Sequence, residues 1–286
     1  MEKLGLAEHP VWNWQDDGRG VGDRFGTGDH LVRAFTHRNY AIGMHTHNFP
    51  EVNIVTGGRG LHCIGEMVIE VQPGDVFVMT PEVMHGYVDE GHLDVYHLLL
   101  SPAFMQRFRR ELEGMPGYTR MFAIEPYLRQ VYDEKLFLHL QPMALDAMRG
   151  DLDEMARTER EGLHVCTSVV ALHLILRLCR LAMEAPHPTA SAEILEVMSY
   201  IRAHPDGDLT LPALAKAARM SRSTFCRQFE KIVRISTGEY VRRSRVELAR
   251  RMLAEGKESR TEIALSCGFY DVSHMNRCLQ ANREQQ

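Results

Sequence analysis

The chain has 286 residues, 44% of them apolar and 25% charged, which suits packed cores in two domains and excludes disorder, collagen-like structure and a coiled-coil rod. The net charge of −5 is unevenly spread: residues 191–286 hold 16 Lys and Arg against 12 Asp and Glu, and residues 1–190 hold 17 against 26. An acidic front and a basic rear predict two different jobs, with the rear suited to a polyanion. Six cysteines without a C-x-x-C pair predict reduced thiols. The polar start, Met1–Pro10, and the lack of a run of about 20 apolar residues predict a cytoplasmic protein with no membrane span.

Short strands are predicted over His30–Thr36, Glu51–Thr56, Arg59–Ile64, Met67–Val71, Asp75–Met79 and Leu93–Leu99. Gly57-Gly58, Gly65-Glu66 and Pro73-Gly74 stand at the joints. Such spacing fits a barrel or jelly roll rather than βαβ units. After Pro142 the period changes. Met143, Leu145, Met148, Leu152 and Met155 line one face of a helix. A second helix, about Leu163–Met183, carries Val169, Leu172, Ile175, Leu178 and Cys179 on a stripe. These helices can cover the barrel, pair with a second copy in a homodimer, or do both.

The expected organisation is a barrel over residues 1–140, a helical packing or dimerisation segment over 141–184, a Pro-rich linker over 185–190 and a helical domain over 191–286. The fold class is therefore α+β with two domains. In the last part, Ala213–Arg219 is a short helix, and Ser221 can cap a second one running to about Ile232. A long helix follows over Thr237–Ala254, then a short one over Thr261–Cys267. Asp271 can cap a last helix reaching Gln280.

Short helix, tight turn and second helix thus occur twice. Phe225 and Phe229 face inward in the first copy, Met275 and Leu279 in the second. Arg222, Ser223, Cys226 and Arg227 face outward in the first copy; Val272, Ser273, Asn276 and Arg277 do so in the second. Arg reads guanine and Asn reads adenine in the major groove, so these faces are candidate DNA-binding surfaces.

Residues 191–286 resemble the DNA-binding domain of the AraC/XylS family of transcription regulators. The matching stretches are Leu209–Ala215, Met220-Ser221 with Phe225-x-Arg227-x-Phe229, Arg245-x-x-x-Ala249-x-x-Leu253, Glu262-Ile263-Ala264 and Gly268-Phe269-x-Asp271-x-Ser273. The resemblance implies two recognition helices entering successive major-groove segments of promoter DNA. Arg234 stands where the family has a Gly, and Leu279-Gln280-Ala281 replaces the usual Phe-Lys-Lys. The second half therefore lacks basic phosphate contacts.

In the front part, His45-Thr46-His47-Asn48-Phe49-Pro50-Glu51 is H-x-H-x-x-x-E, and His85 follows Gly74-Asp75 and Pro81. Side chains alternate along a strand, so His45 and His47 face one side. Three imidazoles and a carboxylate suit a divalent transition metal such as Zn, Ni, Mn or Fe. The same four residues also suit a polar pocket that hydrogen-bonds a sugar or acid, and a structural role is the third possibility. The set resembles the cupin signature, with every metal-ligand position filled and no Gly between Pro81 and His85. His62 and His97 can line the same pocket, and Tyr96 and Trp14 are possible walls for a sugar ring.

Together these features predict a transcription regulator with a cupin-like sensor for a small-molecule effector, and activation is the habit of the family it resembles. The stretch Gly57–Leu100 resembles the sensors of sugar-responsive activators such as those for rhamnose. A homodimer on double-stranded DNA, with RNA polymerase as a further partner, follows from that resemblance. The competing possibility is a metal-dependent cupin enzyme or metal sensor; a tandem helix-turn-helix has no role in the enzyme, so none is expected.

Overall fold

The computed structural model describes residues 8–12, 31–81, 83–131, 138–185 and 192–281. Trp14 and residues 186–190 of the expected linker lie outside them. The chain forms two compact units, residues 1–186 and 187–286.

The first unit is built on an eight-stranded sheet: β1 (Glu8–Trp12), β2 (Val32–His37), β3 (Ile42–His47), β4 (Glu51–Ile64), β5 (Met67–Val71), β6 (Asp75–Met79), β7 (His85–Leu100) and β8 (Leu138–His139). Its path runs β1-β3-β7-β4-β6-β8, with β2 added to β7 and β5 added to β4. The sequence suggests two strands where β4 is one. The Gly57-Gly58 joint does not end the strand; it marks shifts in the β4–β7 register between Val55 and Gly60. A bulge of this kind bends a strand and increases its twist. Gly58 has φ +69°, and a side chain there would run into the His92 carbonyl, so the bend requires glycine.

Either side of the bend, β4 and β7 change neighbours. The first part of β4 pairs with β6 and the second part with β5. The two halves close over an inner cluster that includes Tyr40, Val55, Ile64, Phe77, Tyr87 and Val95, drawn from both. Residues of the opposite parity, Val52, Ile54, Val76, Val78, Tyr96 and Leu98, form a second cluster with the helices. Tyr96 therefore does not wall the barrel interior; its hydroxyl donates to the Leu152 carbonyl.

Helices also fill 102–131, a stretch where the sequence predicts none: α1 (Pro102–Arg107), α2 (Arg109–Glu113), α3 (Pro116–Thr119) and, after a π-helical turn at Arg120–Ile124, α4 (Glu125–Val131). Short elements interrupted by Pro102, Gly114 and Pro116 have too few turns for periodicity to reveal them. α5 (Pro142–Arg160) and α6 (His164–Glu184) follow. Glu159 of α5 fastens to β2, accepting from the Ala34 amide at 2.5 Å and forming an ion pair with Arg33 at 2.5 Å.

The stripe expected on α6 is two faces. Ala171, Leu174, Ile175, Leu178, Cys179 and Ala182 are fully buried against the sheet side. Val169 instead lies on the outer face with Val165 and Met183, at 57%, 67% and 47% exposure. α6 is also long and apolar enough to cross a membrane, with a mean hydropathy of 1.7. Its buried half accounts for that composition, since a covering helix needs the same residues.

Arg120, Glu125 and Arg129 are buried together beneath the sheet. Arg120 holds the Ala185 carbonyl at 2.9 Å and pairs with Glu125 at 3.4 Å. Arg129 donates to the Val78 carbonyl at 2.6 Å. Burial pushes the Glu125 carboxyl up to about 7, opposed by the two guanidiniums. A carboxyl raised above its unfolded value favours the fold at low pH and loses that contribution as pH rises. Replacing Arg120 by Met removes one opposing cation and raises Glu125 further. The deficit in unfolding free energy of Arg120→Met relative to wild type, read from denaturant titrations, is expected to widen from about pH 6 to about pH 8, by at most ~1.4 kcal/mol per pH unit. A deficit that stays flat would remove Glu125 ionisation from the balance.

The second unit is all helix: α7 (Ala192–Ala203), α8 (Leu211–Ala217), α9 (Arg222–Val233), α10 (Thr237–Glu255), α11 (Arg260–Ser266) and α12 (Val272–Ala281). Ser221, Ser236 and Ser259 cap α9, α10 and α11 through their hydroxyls, and Ser259 completes a capping box with Glu262. Arg234 ends α9 with φ +64°, the left-handed conformation that glycine adopts most easily.

Candidate functional site

β3 points His45 and His47 into the interior, and the turn through Asn48–Pro50 delivers Glu51 at the start of β4. His85 opens β7, opposite His45 on β3 and opposite Ile64 at the far end of β4. The bend in β4 therefore brings its two ends together at one mouth of the barrel. His45, His47, Glu51 and His85 are all buried, with one potential ligand atom from each lying within 4.8 Å of the others.

The hydrogen bonds around this cluster orient it. His45 Nδ1 lies 3.0 Å from the Gly43 carbonyl and His85 Nδ1 lies 3.0 Å from the Val83 carbonyl. Both carbonyls accept, so each Nδ1 carries its proton and each Nε2 faces inward. Outer partners of this kind hold metal-ligating histidines in one tautomer. Glu51 Oε2 accepts from His47 Nε2 at 3.0 Å and His85 Nε2 at 3.3 Å, and Oε1 accepts from His97 Nδ1 at 2.7 Å. A neutral His85 donates through one nitrogen only. Its Nε2 therefore meets Glu51 across either a second proton or a cation.

Burial alone would push the Glu51 carboxyl up, but hydrogen bonds from His47, His85 and His97 hold it well below the ordinary carboxylate range. Burial, helped by His85, lowers His45 to about 3, so this ring is the neutral imidazole that a metal takes. Three converging imidazoles and one carboxylate fit Zn, Ni, Mn or Fe. His97, weighed in the sequence only as a possible pocket wall, is the residue that positions Glu51. No local pattern marks it, because its partner lies 46 residues away.

In the helical unit, α8–α9 and α11–α12 are the two helix-turn-helix pairs, and α10 joins them. Phe225 and Phe229 are fully buried, as is Met275. In the second pair Cys278 takes the buried position expected of Leu279, which only packs at the cluster's edge. Of the candidate DNA-binding residues, Arg222, Ser223, Arg227, Ser273 and Arg277 are exposed, whereas Cys226 and Asn276 are half-buried. Asn276 Oδ1 accepts from Arg260 at 3.4 Å, which makes Arg260 of α11 part of the same surface. Tyr270, 88% exposed, sits in the turn before α12 and was not singled out by periodicity.

Residues 28–160 match the family model described as an AraC-like ligand binding domain. Residues 214–283 match a helix-turn-helix domain. The chain is 26% identical over 245 residues to the HTH-type transcriptional activator RhaS of Klebsiella pneumoniae (strain 342), covering 82% of each chain. It is 22% identical over 241 residues to the activator RhaR of Shigella dysenteriae serotype 1, covering 81% of this chain and 80% of that one. Among solved structures, ToxT of Vibrio cholerae aligns over 88% of this chain and 94% of its own, at 10% identity and a TM-score of 0.36. With an AraC-like ligand-binding domain before a helix-turn-helix domain, and homology to these activators through most of its length, the protein is a DNA-binding transcription regulator of the AraC family.

Proposed function

We propose that the protein is a transcription activator that responds to a sugar bound inside its barrel domain and acts on promoter DNA in the cytoplasm. The observation that carries this is the pairing, in one chain, of a bent β-sheet domain with buried polar side chains and a helical domain with two exposed polar faces, on α9 and α12. The effector acts by binding one conformational state more tightly than the other, and a few kcal/mol of difference shifts occupancy of paired half-sites. RNA polymerase is the partner through which activation would be delivered.

Fluorescence anisotropy on fragments of the promoter region tests this directly. Arg227→Ala is expected to cost about 1–3 kcal/mol of affinity and relax selection at one base, because Arg227 is exposed on α9 and its loss leaves the fold alone. Unchanged affinity and unchanged salt dependence would move the interface away from α9.

The outer face of α6 supports a homodimer. Val165, Val169 and Met183 make an apolar stripe that a twin helix can cover. Sedimentation of Val169→Glu should show a monomer where wild type shows a dimer. A second function has its own support: the four-ligand cluster at the barrel mouth fits a transition-metal sensor. In that case promoter binding follows metal loading in the absence of any sugar.

A further inference from the structure

Three segments of the helical unit, distant in the chain, meet at one point. In the turn after α7, the His204 carbonyl accepts from the Gly207 amide and the Gly207 carbonyl from the Leu209 amide. The Pro205 carbonyl instead accepts from Nε of Arg245, on α10, at 2.9 Å. Gly268, in the turn between α11 and α12, closes against the same two groups. A β-carbon there would lie 2.1 Å from the Pro205 oxygen and 2.8 Å from Arg245 Nη2. With φ +74° as well, the position requires glycine by conformation and by contact.

Both sides of this contact are anchored. On one side, Arg202 of α7 donates to the Tyr240 hydroxyl at 3.0 Å and pairs with Glu247 at 3.1 Å, which bolts α7 to α10. On the other, Phe269 is buried in the core shared by α10, α11 and α12. Asp271 then accepts from the His274 amide at 2.6 Å and so caps α12. Movement at Gly268 is therefore passed on to the second recognition helix. Each helix-turn-helix pair packs on α10 through its own core, Phe229 with Tyr240 in the first and Met275 with Val246 and Ala249 in the second. One joining helix leaves a hinge, whereas the Arg245 contact adds a second connection, from the turn leading into α8 to the turn leading into α12.

The size of the effect follows from the length of α12. A tilt of about 10° at Gly268 moves the far end of this ten-residue helix, about 15 Å away, by about 2.6 Å. Successive base pairs are only about 3.4 Å apart. Arg245 itself is half-buried and turned to Pro205, so it acts through the frame and not on the DNA.

We propose that Arg245 is a positioning residue for DNA recognition. By holding the Pro205 carbonyl against Gly268 it fixes α9 and α12 at one separation, and so selects the spacing of the two DNA boxes that one protomer reads. This rests on α9 and α12 as the recognition faces and adds what sets the distance between them. Neighbouring major-groove segments on one face lie about 10–10.5 base pairs apart, and a fixed frame tolerates little departure from that spacing.

Selection of binding sites from random DNA by the full-length protein defines the two boxes. Fluorescence anisotropy then compares duplexes with one box, with both boxes, and with a base pair inserted or removed between them. Wild type is expected to lose about tenfold in affinity on respacing, as for a mismatched base pair. Arg245→Met should bind the best-spaced duplex about tenfold more weakly and lose about threefold or less on respacing, with single-box affinity kept. Arg245→Lys keeps a donor for the Pro205 carbonyl but not the planar fork beside Gly268, so its profile should fall between the two. It replaces Arg245→Met in the comparison if melting curves show that Arg245→Met does not fold. A wild-type spacing profile in the folded variant overturns the proposal. An equal loss on one-box and two-box duplexes also overturns it, because Arg245 would then be a DNA contact or a core residue. Wild type that binds one box as tightly as two would remove one of the two recognition faces, and the positioning role with it.

Discussion

The His45→Ala, His85→Ala double variant should retain no transition metal after incubation with Zn, Ni, Mn or Fe and gel filtration. Wild type should keep about one ion per chain by elemental analysis, as a single set of four ligands allows. The expectation follows from geometry that exists before any ion arrives. The Gly43 and Val83 carbonyls fix the two rings with Nε2 inward, and Glu51 lies between the histidines with its charge preserved. His97→Phe separates positioning from ligation. It leaves all four ligands in place but releases Glu51 Oε1, so metal affinity should fall about 10–100-fold and not vanish. Wild type that takes up none of the four metals would leave the cluster as a polar wall of the effector pocket.

Phe229→Ala should be the most damaging single change in the DNA-binding unit. Its ring is fully buried, 5.5 Å from Phe225 and 5.6 Å from Tyr240, whose hydroxyl accepts from Arg202. Truncation of such a ring costs about 3–5 kcal/mol, a large part of the margin of a domain this size. Thermal melts of the full chain should show a transition lost or lowered, with promoter binding lost alongside it. Arg227→Ala offers the contrast, because it weakens DNA binding with the melt unchanged. A Phe229→Ala protein that melts and binds like wild type would mean that the two helices of the first pair do not rely on this core.

The helical unit was largely legible in the sequence because its information is local. Ser221 and Asp271 announce helix starts, Gly256 and Gly268 announce ends, and the 3.6-residue period separates Phe225 and Phe229 from Arg222 and Arg227. The resemblance to AraC-type regulators then gave that unit its function. Arg234 shows why the family prefers glycine there: the chain needs a left-handed residue to leave α9. In the other unit, periodicity found the strands but split β4 in two at Gly57-Gly58. It also passed over α1–α4, whose few turns carry no period.

By itself, the sequence determined the two-part organisation, the tandem helix-turn-helix and the four residues His45, His47, Glu51 and His85, since motif spacing and charge are properties of the chain alone. Only the tertiary structure decided that Glu51 and His85, at opposite ends of the β4–β7 pairing, meet across one mouth. It alone joined His97 to Glu51 and gathered Asn53, His62 and Tyr87 on the inner face. It also divided α6 between a buried face and an exposed one. Each of these depends on how far a bulged strand bends and on the register of strands distant in the chain. Such long-range pairings are set when the whole core closes, and no short window of residues encodes them.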